Sequence, residues 1–135
     1  MARVRIWNNP EYGIGGGGRT DEARALELAK RAKALGLKVL VDFHYSDGWA
    51  DPNQQHTPHV WQGHSEQQLV KDVYEYTQKV VNDFKAQGTL PDMIQIGNEV
   101  KCGMLWPAEK LPSLDNGAAF AELMQSGLKA VRDID

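Results

Sequence analysis

Apolar residues along this chain switch between two periods, and the switching predicts three strand-then-helix units. Residues 2–7 (ARVRIW) place Val4 and Ile6 on one side and Arg3, Arg5 and Trp7 on the other, the period-two spacing of a strand. A glycine-rich loop follows, Gly13 and then Gly15 to Gly18, ending at Thr20, which is expected to cap a helix with Asp21 and Glu22 in its first turn. Ala25, Leu28, Ala29, Ala32 and Leu35 then recur at helical spacing, and Gly36 is expected to close that helix. Leu37 to Phe43 (LKVLVDF) is a mostly apolar run, as in a parallel strand buried on both faces. A long polar and aromatic loop from Tyr45 to His64 leads to Ser65 and Gln68, spaced as a capping box. The helix behind them carries Leu69, Val73, Tyr76, Val80 and Phe84 on one stripe and stops at Gly88. Residues 92–97 (DMIQIG) predict a third strand. After an irregular loop with Pro107 and Pro112, Gly117 to Arg132 predicts a last helix with Phe120, Leu123, Met124, Leu128 and Val131 inward.

Strands separated by helices that return the chain in the same direction are parallel β/α units, so the fold class is α/β. With no linker, repeat or low-complexity segment, the 135 residues are one domain or part of one. They fall short of the roughly 250 residues of a typical (β/α)8 barrel. The chain opens inside a strand and closes on a helix, an abrupt start for a domain, which leads us to expect a piece of a larger one. A content of 41% hydrophobic and 24% charged residues belongs to the globular class. A net charge of −3 leaves no basic footprint for nucleic acid. No apolar run approaches the ~18 residues that cross a bilayer, so no membrane partner is expected. The single cysteine, Cys102, rules out an internal disulfide. The opening residues read as a strand and not as a signal peptide, so a targeting segment, if the protein is secreted, lies upstream.

In parallel α/β proteins functional residues gather at the carboxyl ends of the strands. Here those ends hold Arg5, Trp7 and Asn8, then Asp42, His44 and Tyr45, then Gln95, Gly97, Asn98 and Glu99. Glu99 sits where an apolar strand opens onto the rim. A partly desolvated carboxylic acid there can keep its proton and donate it to a leaving oxygen. Asn98 offers a donor and an acceptor to a sugar hydroxyl. The dipeptide by itself is equally consistent with a turn cap. His44, His56, His59 and His64 lie near Asp47 and Asp51 in sequence and raise a small metal-binding domain as a rival, although their spacing matches no common zinc pattern. The glycine loop lacks the Gly-Lys-Ser/Thr ending of a phosphate cradle and reads as a flexible subsite loop. Asp42 reads as a hydrogen-bonded structural acid, and Arg3 as structural, whereas Arg5 is expected to point into a site. Trp61 and Trp106 are open between sugar platforms and packing. Tyr74, Tyr76 and Phe84 read as helix packing.

The stretches RVRIWNNP (3–10), VDFHYSDGWADP (41–52) and IQIGNEV (94–100) resemble glycoside hydrolase family 53, the endo-β-1,4-galactanases, in order and spacing. The resemblance implies a partial (β/α)8 barrel, with residues 1–135 supplying about three β/α units, barrel strands 2 to 4. The first strand and the carboxyl-terminal half would be missing. It also implies a retaining, endo-acting glycosidase that cleaves β-1,4-D-galactosidic linkages in type I arabinogalactan, the galactan of pectin. Carried over by position, Glu99 is the acid/base, and Arg5, His44, Asp47, Trp49, Asp51 and Asn98 contact substrate. Arg5 is expected to hold the nucleophilic carboxylate ionised. Retaining glycosidases need two carboxyl groups roughly 5–5.5 Å apart. In this family the nucleophile lies near the end of the seventh strand, beyond these residues. No cofactor is implied, although calcium is possible in the whole protein outside this segment. The whole protein is expected to be secreted and monomeric. The 135 residues alone are expected to be inactive, binding sugar weakly or not at all, and to self-associate.

Overall fold

The alternation in ARVRI folds as its pattern requires. In the computed structural model, which describes residues 1–13 and 18–134, β1 (Ala2–Ile6) buries Val4 and Ile6 and leaves Arg3 and Arg5 exposed. It pairs in parallel with β2 (Val39–Phe43), which pairs in parallel with β3 (Met93–Ile96), in the order β1-β2-β3. The register sets Val4 beside Val41 and Ile94, and Ile6 beside Phe43 and Ile96. Between those rungs, Arg5, Asp42 and Gln95 share the opposite face. Helices α1 (Glu22–Ala34) and α2 (Glu66–Ala86) connect successive strands stepping the same way, so right-handed crossovers place both on one face. The helix α3 (Ala118–Arg132) follows β3 and packs against it and against α2. The core lies between these layers, with Val39, Val41, Phe43, Val73, Val80, Phe84 and Leu123 buried within it.

Several details differ from the sequence reading. Asp21, not Thr20, caps α1: its Oδ1 accepts from the Arg24 amide at 3.0 Å. A carboxylate does this better than a hydroxyl because it also complements the positive end of the helix dipole. The buried stripe of α1 is the alanines 25, 29 and 32, which let the helix sit close on the sheet, while Leu28 and Leu35 are 40% and 77% exposed. Only half a capping box forms on α2. Ser65 Oγ accepts from the Gln68 amide at 3.2 Å, but the Gln68 side chain reaches forward to Asp72 Oδ1 at 2.9 Å. Strand β2 begins at Val39, leaving Leu37 exposed, and Leu40 is only half-buried because no layer covers the inner face of the sheet among the described residues. Leu128, expected inward on α3, is also exposed. The loop read as irregular contains a small antiparallel hairpin, β4 (Gly103–Met104) with β5 (Glu109–Lys110). Residues 14–17, which include most of the glycine run, lie outside the described residues.

One glycine brings α3 onto the sheet. A Cβ at Gly127 would lie 2.7 Å from Ile96 Cγ2 and 3.2 Å from the Tyr45 hydroxyl. That hydroxyl is buried and shares a 2.6 Å hydrogen bond with Thr77 Oγ1 on α2, and burial pushes the Tyr45 phenol well up from its usual value. The first rim residue after His44 is thereby hydrogen-bonded to α2 and packed against α3 at Gly127.

Candidate active site

Hydrogen bonds and one ion pair link β1, β2 and the loops after β2 and β3 in a ring that a 3.5 Å approach of His44 to Asp42 completes. Asp42, fully buried, has its Oδ2 accept from Arg3 Nε at 3.1 Å and Nη2 at 2.7 Å. The same Arg3 Nη2 donates to Asn98 Oδ1 at 2.8 Å, and Asn98 Nδ2 donates to the Ala50 carbonyl at 2.7 Å. The Ala50 amide in turn donates to His44 Nδ1 at 3.1 Å, and His44 Nε2 lies 3.5 Å from Asp42 Oδ2. Because Nδ1 is used as an acceptor, the neutral ring carries its proton on Nε2, facing the carboxylate. Arg3 of β1, Asp42 of β2 and residues of the loops after β2 and β3 are therefore held in a single polar cluster. Arg3, expected to be structural, is the cation at its centre. Asp42 is the paired acid that the sequence suggested.

Arg5 goes elsewhere. Its guanidinium stands over the Trp49 ring, 4.7 Å from the centroid. Trp7, buried beneath, is 5.1 Å from His44 and 6.4 Å from Trp49, ring to ring, and His44 and Trp49 are 5.4 Å apart. These contacts hold the indole of Trp49, half-buried, at the rim with a cation on one face.

Asn98 and Glu99 follow β3 at the same rim. Asn98 is buried and built into the ring just described. Glu99 adopts a left-handed backbone, φ 48° and ψ 46°, and its side chain is exposed. The expected partial desolvation of Glu99 is therefore not met. The reason is topological: β3 is an outer strand with β2 as its only neighbour, so no further strand shields its carboxyl end among the described residues.

Asp47 and Asp51 are turned into the loop that carries them. Asp47 Oδ1 accepts from the Asn9 amide at 2.9 Å and Oδ2 from the His59 amide at 2.7 Å, which clips the loops after β1 and β2 together. Asp51 Oδ1 accepts from the Asn53 amide at 2.7 Å, within a tight turn closed by Gln54. The sequence reading missed Gln55. Its side chain is buried, and its Nε2 lies 2.7 Å from the Asn98 carbonyl. A glutamine in a polar loop gives no signal of that kind.

The histidines do not converge. His44 is inside the ring, His56 is exposed beside Trp106, His59 stacks on Tyr12 at 4.4 Å, and His64 Nδ1 pairs with Asp72 Oδ2 at 2.6 Å. Among the described residues no three His, Cys, Asp or Glu side chains are placed to share a metal ion. A cleft of about 570 Å³ runs from Asp47 and Gly48 past Tyr12, His59 and Trp61 to Trp106. Trp61 is packing, buried edge-on against Tyr76 at 5.8 Å. Trp106 has Lys110 Nζ 4.3 Å above its ring and its indole N–H bonded to the Cys102 carbonyl.

Residues 1–135 match the sequence profile of glycosyl hydrolase family 53. The chain belongs to that family. The probable arabinogalactan endo-β-1,4-galactanase A of Aspergillus terreus is 42% identical over 131 residues, covering 97% of this family 53 chain and 35% of that protein. The endo-β-1,4-galactanase of Bacillus subtilis is 39% identical over 134 residues, 97% of this chain and 30% of that one. The family 53 catalytic domain of Ignisphaera aggregans superposes with a TM-score of 0.88 at 40% identity, covering 98% of this chain and 37% of that domain. This family 53 chain thus spans about a third of the length of its relatives. Its three parallel β/α units form the corresponding part of their (β/α)8 fold.

Proposed function

We propose that the protein containing this segment hydrolyses internal β-1,4-D-galactosidic bonds of type I arabinogalactan, with retention of configuration. The observation that carries this reading is the ring Arg3–Asp42–His44–Ala50–Asn98, which builds the three family motifs into one rim with Glu99 beside it. The galactanase names of the relatives supply the substrate class.

Glu99 gives its proton to the glycosidic oxygen as the bond from that oxygen to the anomeric carbon breaks. A carboxylate from a later strand of the barrel takes that carbon and forms a glycosyl-enzyme ester. Glu99, now ionised, removes a proton from water as the water attacks the ester, restoring both carboxyl groups. Asn98, with its carbonyl and one N–H held by Arg3 and Ala50, offers its remaining N–H to the sugar 2-OH, a bond that strengthens in the transition state. Trp49 presents its free face to the C–H face of a galactose ring, and Arg5, His44, Asp47 and Asp51 shape that subsite. Two carboxyl groups are sufficient for this chemistry, so no cofactor is invoked. A polymeric wall substrate calls for secretion of the whole protein.

Replacing Glu99 by Gln in the whole protein is expected to abolish cleavage of natural galactan while leaving oligosaccharide binding measurable. Undiminished galactan turnover in that variant would remove Glu99 from the role.

A further inference from the structure

The loop after β2 reaches across to the residue that the proposed function makes the acid/base. Gln55 Nε2 donates to the Asn98 carbonyl at 2.7 Å, and the Asp51 and Glu99 carbonyls lie 3.3 and 3.5 Å from it. The Gln55 backbone carbonyl accepts from the Trp106 amide at 2.7 Å, anchoring the other side of the same residue to the turn of the β4–β5 hairpin. Gln55 is 1% exposed. Three acceptor-only carbonyls surround its nitrogen, so the orientation of the amide follows from chemistry. Its Oε1, buried, has no donor partner among the described residues. A buried amide whose acceptor half is unused is held in place by its donor half.

That donor half meets the peptide that aims Glu99. The left-handed backbone at Glu99 is uncommon for a residue with a side chain and persists only when its surroundings hold it. No side chain caps the short turn that starts there. The strand hydrogen bonds end with β3 at Ile96, three residues before Glu99. Beyond that point Gln95 Nε2 holds the Gly97 carbonyl at 2.8 Å, and the Asn98 side chain is held by Arg3 and Ala50. The Gln55 amide is the side chain that bonds the Asn98 carbonyl, in the peptide joined to Glu99.

We propose that Gln55 is a positioning residue for Glu99, holding the Asn98–Glu99 peptide so that the carboxyl is presented at the carboxyl end of β3. This rests on the acid/base role given to Glu99 above.

The test compares substrates that do and do not need a proton on the leaving group, using whole enzyme with Gln55→Leu or Gln55→Glu, variants that retain bulk but lose the amide donors. On galactan, whose departing alcohol needs that proton, kcat/KM is expected to fall on the order of 100-fold, the effect of displacing a catalytic group by about 1 Å. On a dinitrophenyl β-galactobioside, whose phenolate leaves unprotonated, kcat/KM is expected to change by less than about threefold, since the general acid contributes little there. Equal losses on both substrates would show a merely structural residue and overturn the proposal, as would no loss on either. If the unsubstituted enzyme fails to cleave galactan, the functional reading falls by itself. The positioning claim is then decided by crystal structures of the whole protein with Gln55 and with Gln55→Leu. A displaced Asn98–Glu99 peptide in the variant supports it, and an unmoved peptide overturns it.

Discussion

Asp42 shows how much one residue of the rim depends on another. Its carboxylate is fully buried, and among the described residues its cationic partner is Arg3, whose side chain is 47% exposed. Stripping the partner from a buried ion pair costs roughly 3–5 kcal/mol, because the remaining charge is stranded. Here the loss belongs at or below the low end of that range, since water can enter where the half-exposed Arg3 stood. Arg3→Met is therefore expected to lower the urea midpoint clearly, and Arg5→Met, which loses only a surface cation–π contact, by much less. Equal shifts for the two variants would contradict the ring as described. The sequence showed that both arginines share a face but not which one meets Asp42. Alternation identifies the side of a strand, and the register alone would set Arg5 beside Asp42. Arg3 instead reaches Asp42 diagonally while Arg5 turns onto Trp49, a choice of side-chain path that the sequence does not display. One titrating group sits on the β4–β5 hairpin. Glu109 is buried and its carboxyl is raised by that burial, with the charges of Glu66, Asp115 and Glu122 adding to the effect. The folded state therefore holds this proton more tightly than the unfolded chain does. The stability Glu109 contributes is complete below the ordinary glutamate value and is lost as pH rises through the raised one. Glu109→Gln should give a higher Tm than the parent near neutral pH, with the two converging in acid. A constant Tm difference across that range would show that the carboxyl is not the cause.

Among the elements, α3 offers a contest between two effects of known size. Gly127 stands inside the helix, where alanine would be favoured by up to about 1 kcal/mol on propensity alone. The added methyl would come 2.7 Å from Ile96 Cγ2 and meet the Tyr45 hydroxyl at 3.2 Å, and overpacking of this kind costs roughly 1–3 kcal/mol. Neither neighbour can yield easily, since Ile96 ends β3 and Tyr45 is fastened to Thr77. Gly127→Ala is expected to destabilise by about 1 kcal/mol net, read as a lower denaturation midpoint at unchanged helix content. A stabilised variant would mean that α3 can lift off the sheet at little cost. The elements themselves were legible because period two and period 3.6 separate cleanly here, and Val4, Ile6, Leu69, Val73 and Phe84 are buried as their spacing requires. Helix ends were less legible. Thr20 and Asp21 are both good caps, and only the path of the incoming chain decides between them. The β4–β5 hairpin was hidden because two-residue strands leave no periodicity to read.

For the whole molecule, what the helices leave uncovered matters more than what they bury. One face of the sheet is closed by α1, α2 and α3, and the other presents Arg3, Arg5 and Met93 to solvent, with Met93 52% exposed. Among the described residues both β1 and β3 have an unpaired edge, since the order β1-β2-β3 gives each a single neighbour. Parallel sheets are almost always covered on both faces, and unpaired edges recruit further strands. In the relatives this chain matches, it accounts for about a third of the length, and the proposed barrel would cover both edges with its other strands. The 135 residues alone therefore face a choice between exposing these surfaces and covering them with copies of themselves. Self-association is expected: sedimentation velocity should show the mean mass rising with concentration above the 15.1 kDa of one chain. The same openness leaves Glu99 exposed, and the nucleophilic carboxyl that retaining chemistry needs is expected on a later strand of the proposed barrel. No reducing sugar should then be released from galactan beyond the level of a Glu99→Ala control. Sugar release above that control would show that three β/α units suffice for catalysis. A single 15.1 kDa species at every concentration would show that the open face is stable by itself.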